Sequence, residues 1–375
     1  GSATVEAAGL WDVYAYSLAG SAGILGAMSG SVATAHIGAT VDASMSDSTL
    51  TSVGAVSVQA KGTPKAVAIA TAPAVSMLYG IGLAVAVADI SPIVHARMAG
   101  MTTTGTAPDV VIAARLLRPS SGDTAQARAF ALGLGGVFGV GGGVATVAGQ
   151  ADVRAWWELG GDTPHVKSLG ITASNAARLN AVGTGIGVGG LAGAGVADAV
   201  VSHTSTTLAF VTAGTGLIVD NALAVHAVAD IVAAQSSTAG AGALGVAVAA
   251  TTSSMTVAST AKSGLGVNWH DSSAASGADI TAGTVDARAL NAVNFSQNVD
   301  GISGSLINGA GASAVSIITS VAEVHVGEGA SLTGGRILLY SDNDITGRVS
   351  VNSTSVGALA VNAGATGIYV LTGHG

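Results

Sequence analysis

The chain has 375 residues and a net charge of −8, with only 9% Asp, Glu, Lys and Arg against about 25% in ordinary globular domains. That acidity, with no long Lys/Arg cluster, argues against a nucleic-acid partner, and the lack of cysteine excludes a disulfide scaffold and any thiolate metal site. Hydrophobic residues reach 49% while aromatics are 3%, so a core of small side chains is expected rather than disorder.

Gly1 and Ser2 read as a cloning scar, and the pattern that follows is expected to continue beyond both ends as part of a longer polypeptide. The first Gly-rich segment is GILGAMSGSVATA (23–35). It leads into AHIGATVDA (35–43) and TLTSVGAVSVQAK (49–61), which read as strand, small-residue corner, strand. In AVAIATAPAV (66–75), Ala occupies 66, 68, 70, 72 and 74, with Val67, Ile69, Thr71 and Val75 between them. A period of two places these sets on opposite faces of a strand, and Pro73 points to an edge or a strand end. GIGLAVAVADIS (80–91) and VHARMAGMTTTG (94–105) repeat the two kinds of segment. Residues 129–149, ending in ALGLGGVFGVGGGVATVAG, are uncharged and long enough to span a bilayer as a helix. Eight of them are Gly from 133 onward, each costing a helix about 1 kcal/mol relative to Ala. No Lys/Arg-rich loop flanks them, and the same character recurs in GIGVGGLAGAGVADAVV (185–201), GAGALGVAVAATTSS (240–254), GAGASAVSIITSVAE (309–323) and VGALAVNAGATG (356–367). Strands, and no membrane span, are therefore expected.

Aligning these segments on Val32, Val85, Val144, Val196, Val246, Val315 and Leu359 gives a loose repeat of about 55 residues, a spacing a solenoid tolerates when insertions fall in its turns. Corners such as AFVTAGTGLIVD (209–220) and GADITAGTVDARAL (277–290) divide each unit into strands expected to be five to seven residues long. The predicted fold is all-β: a parallel β-helix, or β-solenoid, forming one continuous body over residues 1–375, with coils about 4.8 Å apart. A β-sandwich array is the alternative; it requires recurring hairpin turns, and only Asp300-Gly301 and Asn308-Gly309 supply that signal, as one local hairpin.

The A-x-V-x-A strands, the glycines before VAVA or VATV and the turn GASLTGGRILL (329–339) extend over essentially the whole chain. In these features it resembles the repeats of giant bacterial filamentous adhesins of the filamentous-haemagglutinin and leukotoxin-like type, although the Asn-rich coil corners of the haemagglutinin pattern are mostly missing. The resemblance implies a β-helical stalk exported to the bacterial cell surface, with roles in adhesion or matrix structure.

Candidate chemistry is sparse, and no catalytic, metal or cofactor site is expected. SDNDITGR places Asp342, Asp344 and Arg348 together, a pair of carboxylates that could act as acid and base on a polysaccharide, but it reads better as an Asx-rich turn between strands. RAWWELGGDTPH (154–165) is the least repeat-like segment. In a strand, Trp156 and Trp157 would face opposite sides, one free to stack on a sugar ring or both plugging an insertion. NWHDSS (268–273), with Trp269, His270 and Asp271, poses the same choice, so Trp156, Trp157 and Trp269 are the carbohydrate-binding candidates. His226 and His325 lack a second His at metal spacing. Gly185, Gly187 and Gly190 imitate a dinucleotide loop without its helix or acidic partner. Asn294 and Asn352 begin formal glycosylation sequons. The expected function is a non-catalytic extracellular stalk or filament segment whose partners are flanking repeats or other copies of itself; a carbohydrate-binding or polysaccharide-cleaving β-helix, with surface polysaccharide as partner, is the competing class.

Overall fold

The computed structural model describes residues 1–51, 54–269 and 277–374. They form seven β-coils, each making one pass in a first sheet and a return pass in a second. Coil 1 contains β1 (Ser2–Leu18), β2 (Ser21–Gly23), β3 (Gly26–Ser46) and β4 (Thr49–Thr51); coil 2 contains β5 (Ala55–Ser76), β6 (Tyr79–Ala99) and β7 (Thr102–Thr104). Coil 3 contains β8 (Asp109–Leu116), β9 (Ala125–Gly135) and β10 (Phe138–Glu158), and coil 4 contains β11 (His165–Val166), β12 (Ser168–Gly189) and β13 (Ala192–Val211). Coils 5, 6 and 7 are β14 (Leu217–Ala243) with β15 (Val246–Leu265), β16 (Asp279–Gly304) with β17 (Ile307–Val326), and β18 (Ser331–Val356) with β19 (Leu359–His374).

All strand pairing is parallel, coil to coil. One column runs Val32, Val85, Val144, Asp198, Thr252, Ser313 and Ala365, in steps of 53, 59, 54, 54, 61 and 52 residues. The repeat expected from the sequence therefore has the right length and its first three members. The later members, Val196, Val246, Val315 and Leu359, miss the true column by two or six positions. Every slip is even, so each stays on the outer face.

Strand length departs from expectation. Most principal strands run about 20 residues, not five to seven, because glycines such as Gly38 and Gly283 lie inside strands rather than at corners. The real changes of direction are two-residue turns at 24–25, 77–78, 136–137, 190–191, 244–245, 305–306 and 357–358 on one edge, and longer loops on the other. The uncharged stretch 131–149 is the end of β9, one such turn and half of β10, and no described helix is long and apolar enough to cross a membrane. Asp300-Gly301 and Asn308-Gly309 sit within β16 and β17, in different sheets, and form no hairpin.

Prolines inside strands fall where the ladder is interrupted. Pro73 faces the Ala19–Gly20 break between β1 and β2, Pro64 faces the loop between β8 and β9, and Pro92 faces a gap in the pairing of β6 with β10. A residue without an N–H costs a sheet least where no ladder bond is due. Pro73 thus marks a gap in an edge strand's pairing and not the end of its own strand.

The inner faces set the cross-section. Along β12 the inward residues are Leu169, Ile171, Ala173, Asn175, Ala177, Leu179, Ala181, then Gly183, Gly185, Gly187 and Gly189. At the loop edge Val, Ile, Leu, Met and Trp157 hold the sheets apart, and in the middle mainly alanines do so. At the turn edge the backbones meet: a Cβ on Gly185 would collide with the Val196 carbonyl, and one on Gly187 with that of Ala194. The coil is a wedge, thin at the turns.

In coils 5 to 7 part of the core is polar and internally bonded. Gln297 Nε2 donates to Gln235 Oε1 (3.1 Å) and Ser253 Oγ (2.8 Å), and Ser316 Oγ donates to Gln297 Oε1 (2.8 Å). Asn291 Nδ2 donates to the carbonyls of Ser259 (2.7 Å) and Val321 (3.1 Å). Coil 4 holds exceptions among the described residues, among them Asn175, whose side-chain amide is buried without a partner, and His203. His203 is fully buried in the column Ile90, Gly149, His203, Val257, and neither ring nitrogen has a hydrogen-bonding partner among the described residues. Gly149 leaves room for the ring: a Cβ there would lie 2.8 Å from Ile90 and 3.1 Å from His203 Nδ1. Burial in this apolar column pushes the His203 pKa down to about 4.

Two outcomes follow from this core. Gly185→Ala is expected to lower unfolding free energy by about 1–3 kcal/mol through overpacking. Gly170→Ala, on the same strand with nothing within 4 Å of the new Cβ, should be neutral or stabilising; denaturant titration of the two variants compares them. For His203 the folded state stays neutral to about pH 4, while the unfolded chain takes up its proton near pH 6.5. Stability is therefore complete above about 6.5 and falls as pH drops toward 4, by on the order of 3 kcal/mol. His203→Val should remove that part of the acid sensitivity, read from unfolding curves across this pH range.

Candidate functional site

Outward side chains repeat once per coil, so each forms an axial column with its counterparts. Near the loop edge of the second sheet one column runs Arg97, Trp156, Phe210, Gly264 and His325. Trp156 stacks on Phe210 with centroids 5.9 Å apart and planes 4° from parallel. In coil 5 the column has only Gly264, and the chain after β15 folds back to place Trp269 there; a Cβ on Gly264 would meet its ring at 2.9 Å. Trp269 lies 5.5 Å from Phe210 and 6.4 Å from His325, and His95 meets the edge of Trp156 at 5.6 Å. The result is an aromatic spine crossing coils 3 to 6.

This arrangement locates the tryptophan candidates. Trp156 and Trp157 do face opposite sides of a strand, but neither is exposed. Trp157 is 0% accessible, wedged between the sheets in the column of Met98 and Val211, and Trp156 is 4% accessible beneath the spine. Neither ring can offer a face to a sugar, because packing has already covered both; they are the bulky plug of this segment. Trp269 is half-buried. His270 and Asp271 lie outside the described residues.

Beside the spine, the gap at Pro92 opens a groove of about 380 Å³ lined by Ser91, Gln150, Asp152, Arg154, Thr204 and Thr206 among others. Arg154 Nε donates to Asp152 Oδ1 at 2.7 Å, and His95 Nε2 approaches Asp152 Oδ2 at 3.5 Å. Burial works against the Asp152 carboxylate, but these two partners outweigh it and hold its pKa below the usual value. The groove offers amide, hydroxyl, carboxylate and guanidinium groups on a flat sheet, a set suited to hydrogen-bonding a polyhydroxyl chain.

On the first sheet SDNDITGR lies inside β18, not in a turn, and Asp342, Asp344 and Arg348 are exposed on its outer face. The continuous parallel register from Leu290–Asp342 to Ser296–Arg348 imposes the extended form. Tyr340 Oη donates to Asp342 Oδ2 at 3.3 Å and Thr346 Oγ1 to Asp344 Oδ1 at 3.5 Å. His226 lies 3.5 Å from Asp286, which Arg288 grips through two 2.7 Å bonds, and His325 lies 3.7 Å from Glu323. The Arg288 bonds lead in lowering the Asp286 pKa. Among the described residues, no three His, Asp or Glu are grouped to hold a metal ion. Gly185 and Gly187 belong to the wedge rather than to a phosphate loop, and Asn294 and Asn352 stand exposed on the outer face.

Charged groups pair repeatedly between coils. Lys61 binds Glu6 at 2.7 Å, Arg97 binds Glu158 at 2.6 Å, Lys262 binds Glu323 at 2.7 Å, and His36 and His165 pair with Asp89 and Asp220 at 2.8 and 2.7 Å. Sequence reasoning missed Phe210, His95, Asp152, Arg154 and Gln150; the signal for Phe210 and His95 was their place one coil from Trp156 and Arg154, which only the corrected column register brings out. Phe210→Ala should cost about 3–5 kcal/mol, because it removes the central ring of the spine, and should leave a strand-type circular dichroism spectrum; a loss under about 1 kcal/mol would show that the rings meet without supporting one another.

Comparison with protein-family models, curated proteins and solved structures returned no match to this chain.

Proposed function

We propose that this chain is a non-catalytic structural segment of an extracellular bacterial surface protein, giving span, stiffness and a scaffold for presentation. The observation that carries this reading is the use of charge. The outer faces bring acids and bases on adjacent coils into contact, directly opposite in Lys262–Glu323 and offset by two residues in Glu6–Lys61 and Arg97–Glu158, so ionic groups reinforce the stacking of coils. Individually such exposed pairs contribute little, about 0–1 kcal/mol, but they add to a backbone ladder that runs through all seven coils. Lack of cysteine suits export in an unfolded state, and the repeat's resemblance to filamentous adhesins supports the surface location.

A second reading rests on the groove at Pro92, whose polar lining suits a surface polysaccharide. In that reading the blade carries a glycan-binding strip without cleaving it, and Gln150→Ala would abolish retention on immobilised polysaccharide.

Incubation with surface polysaccharides, monitored by release of reducing ends, separates the structural role from catalysis. No release is expected from the parent chain, Asp342→Asn or Asp344→Asn. Cleavage by the parent that falls in either variant would overturn the non-catalytic role and make this carboxylate pair a catalytic site.

A further inference from the structure

The turn edge stands apart from the rest of the surface. No Asp, Glu, Lys, Arg or His lies within four residues of any of the seven turns. Ile24, Leu25, Met77, Leu191, Leu244 and Leu306 project from these turns with 61–78% of their surface exposed. The turns also bond to one another: Met77 N–H donates to Gly23 O (3.4 Å), Leu244 N–H to Gly190 O (3.1 Å) and Leu306 N–H to Leu244 O (3.4 Å). These side chains therefore form a ridge, narrowed at the third turn to Gly136 and half-buried Val137 and at the seventh to Gly357 and Ala358, and widened on its flanks by Met28, Val356 and Leu359, which are also exposed. The exposed apolar area is on the order of 1,000 Å², above the few hundred Å² common on monomers and comparable with the ≈ 800 Å² per partner of a stable interface.

We propose that this ridge is the contact surface for a second copy of the chain, edge against edge about a two-fold axis. It adds a partner to the structural role proposed above. Three features favour this occupant. The area is what a dimer needs. The absence of charge gives a polar or charged partner nothing to recognise. The turns also repeat with the coil spacing of about 4.8 Å, a period that a second copy shares, and the small third turn, Gly136–Val137, leaves room between the large side chains for those of the other ridge. An isologous contact of this kind uses one self-complementary patch twice. A lipid surface is the weaker occupant, because no Lys or Arg borders the edge to anchor it at headgroups and the net charge is −8.

Sedimentation velocity across a dilution series tests the pairing. The parent chain should pass from dimer to monomer on dilution. The double variant Leu191→Glu, Leu244→Glu should raise the dissociation constant at least 100-fold while its circular dichroism and melting temperature stay unchanged, since both side chains point into solvent. The chain contains no cysteine, so Leu191→Cys introduces a single thiol. Oxidation should give a covalent dimer, whereas Ser120→Cys, in the loop between β8 and β9 and away from the turn edge, should give none. A parent that is monomeric at every concentration, or a dimer that survives the double variant, would overturn the proposal. So would flotation of the parent with neutral phosphatidylcholine vesicles that the double variant loses, without self-association. A polysaccharide-cleaving activity would sink the structural role and leave this dimer untouched, so the two failures are distinguishable.

Discussion

The distance between the two sheets is the constraint on which this structure depends, and inward side chains set it residue by residue. Where Val, Leu and Trp157 point inward the sheets stand apart; where Ala does they close in; where Gly185 and Gly187 do, main chain meets main chain. In most folds glycine within a strand weakens it. Here it removes the side chain that would force the sheets apart, and the inter-coil ladder supplies order that its backbone lacks. Unusual composition, few aromatics and many Ala and Gly, is thus a consequence of cross-section.

Stacking coils imposes a second condition. A side chain has its counterparts directly above and below, so an oversized group must be accommodated by a neighbour in its own column. His203 occupies space that Gly149 leaves open, and Trp269 fills the place over Gly264. Both are paired changes separated by one coil or less, and both would be unintelligible in a single coil. The polar core of coils 5 to 7 follows the same rule: Gln235 and Gln297 are column neighbours, and each supplies what the other needs. Buried polar groups are tolerated when such partners exist, which sets apart the unpartnered His203 and Asn175 of coil 4.

Much of the fold was legible from alternation alone. The alanines at 66 to 74 turn inward, as a period of two requires, and the repeat length emerged although its column drifted. The drift came from aligning on valine, which is common on both faces; a column is defined by pairing, and outward positions carry little composition of their own. Strand length was not legible, because glycine in a strand interior and glycine at a corner look alike locally, and only the partner sheet distinguishes them. The same ambiguity made SDNDITGR read as a turn. Acidic and Asn residues favour turns in isolation, yet the parallel register with β16 overrides that preference. For the tryptophans, strand alternation placed them on opposite faces correctly. Their burial depended on Phe210 and on a returning segment after β15, which no local reading reveals.

The breadth of each coil has a mechanical consequence. A coil of about 55 residues adds only about 4.8 Å of height, whereas the same residues drawn out span roughly 180 Å. If tension along the chain peels one coil from the end of the stack, the stack shortens by the thickness of a strand and releases nearly forty times that length. Because the inter-coil bonds along a strand then break in succession from one edge rather than together, the force at each moment stays low while the work per coil is large. The blade would behave as a reel that absorbs a sudden pull by paying out slack, and rewinds onto the intact coil below as a template.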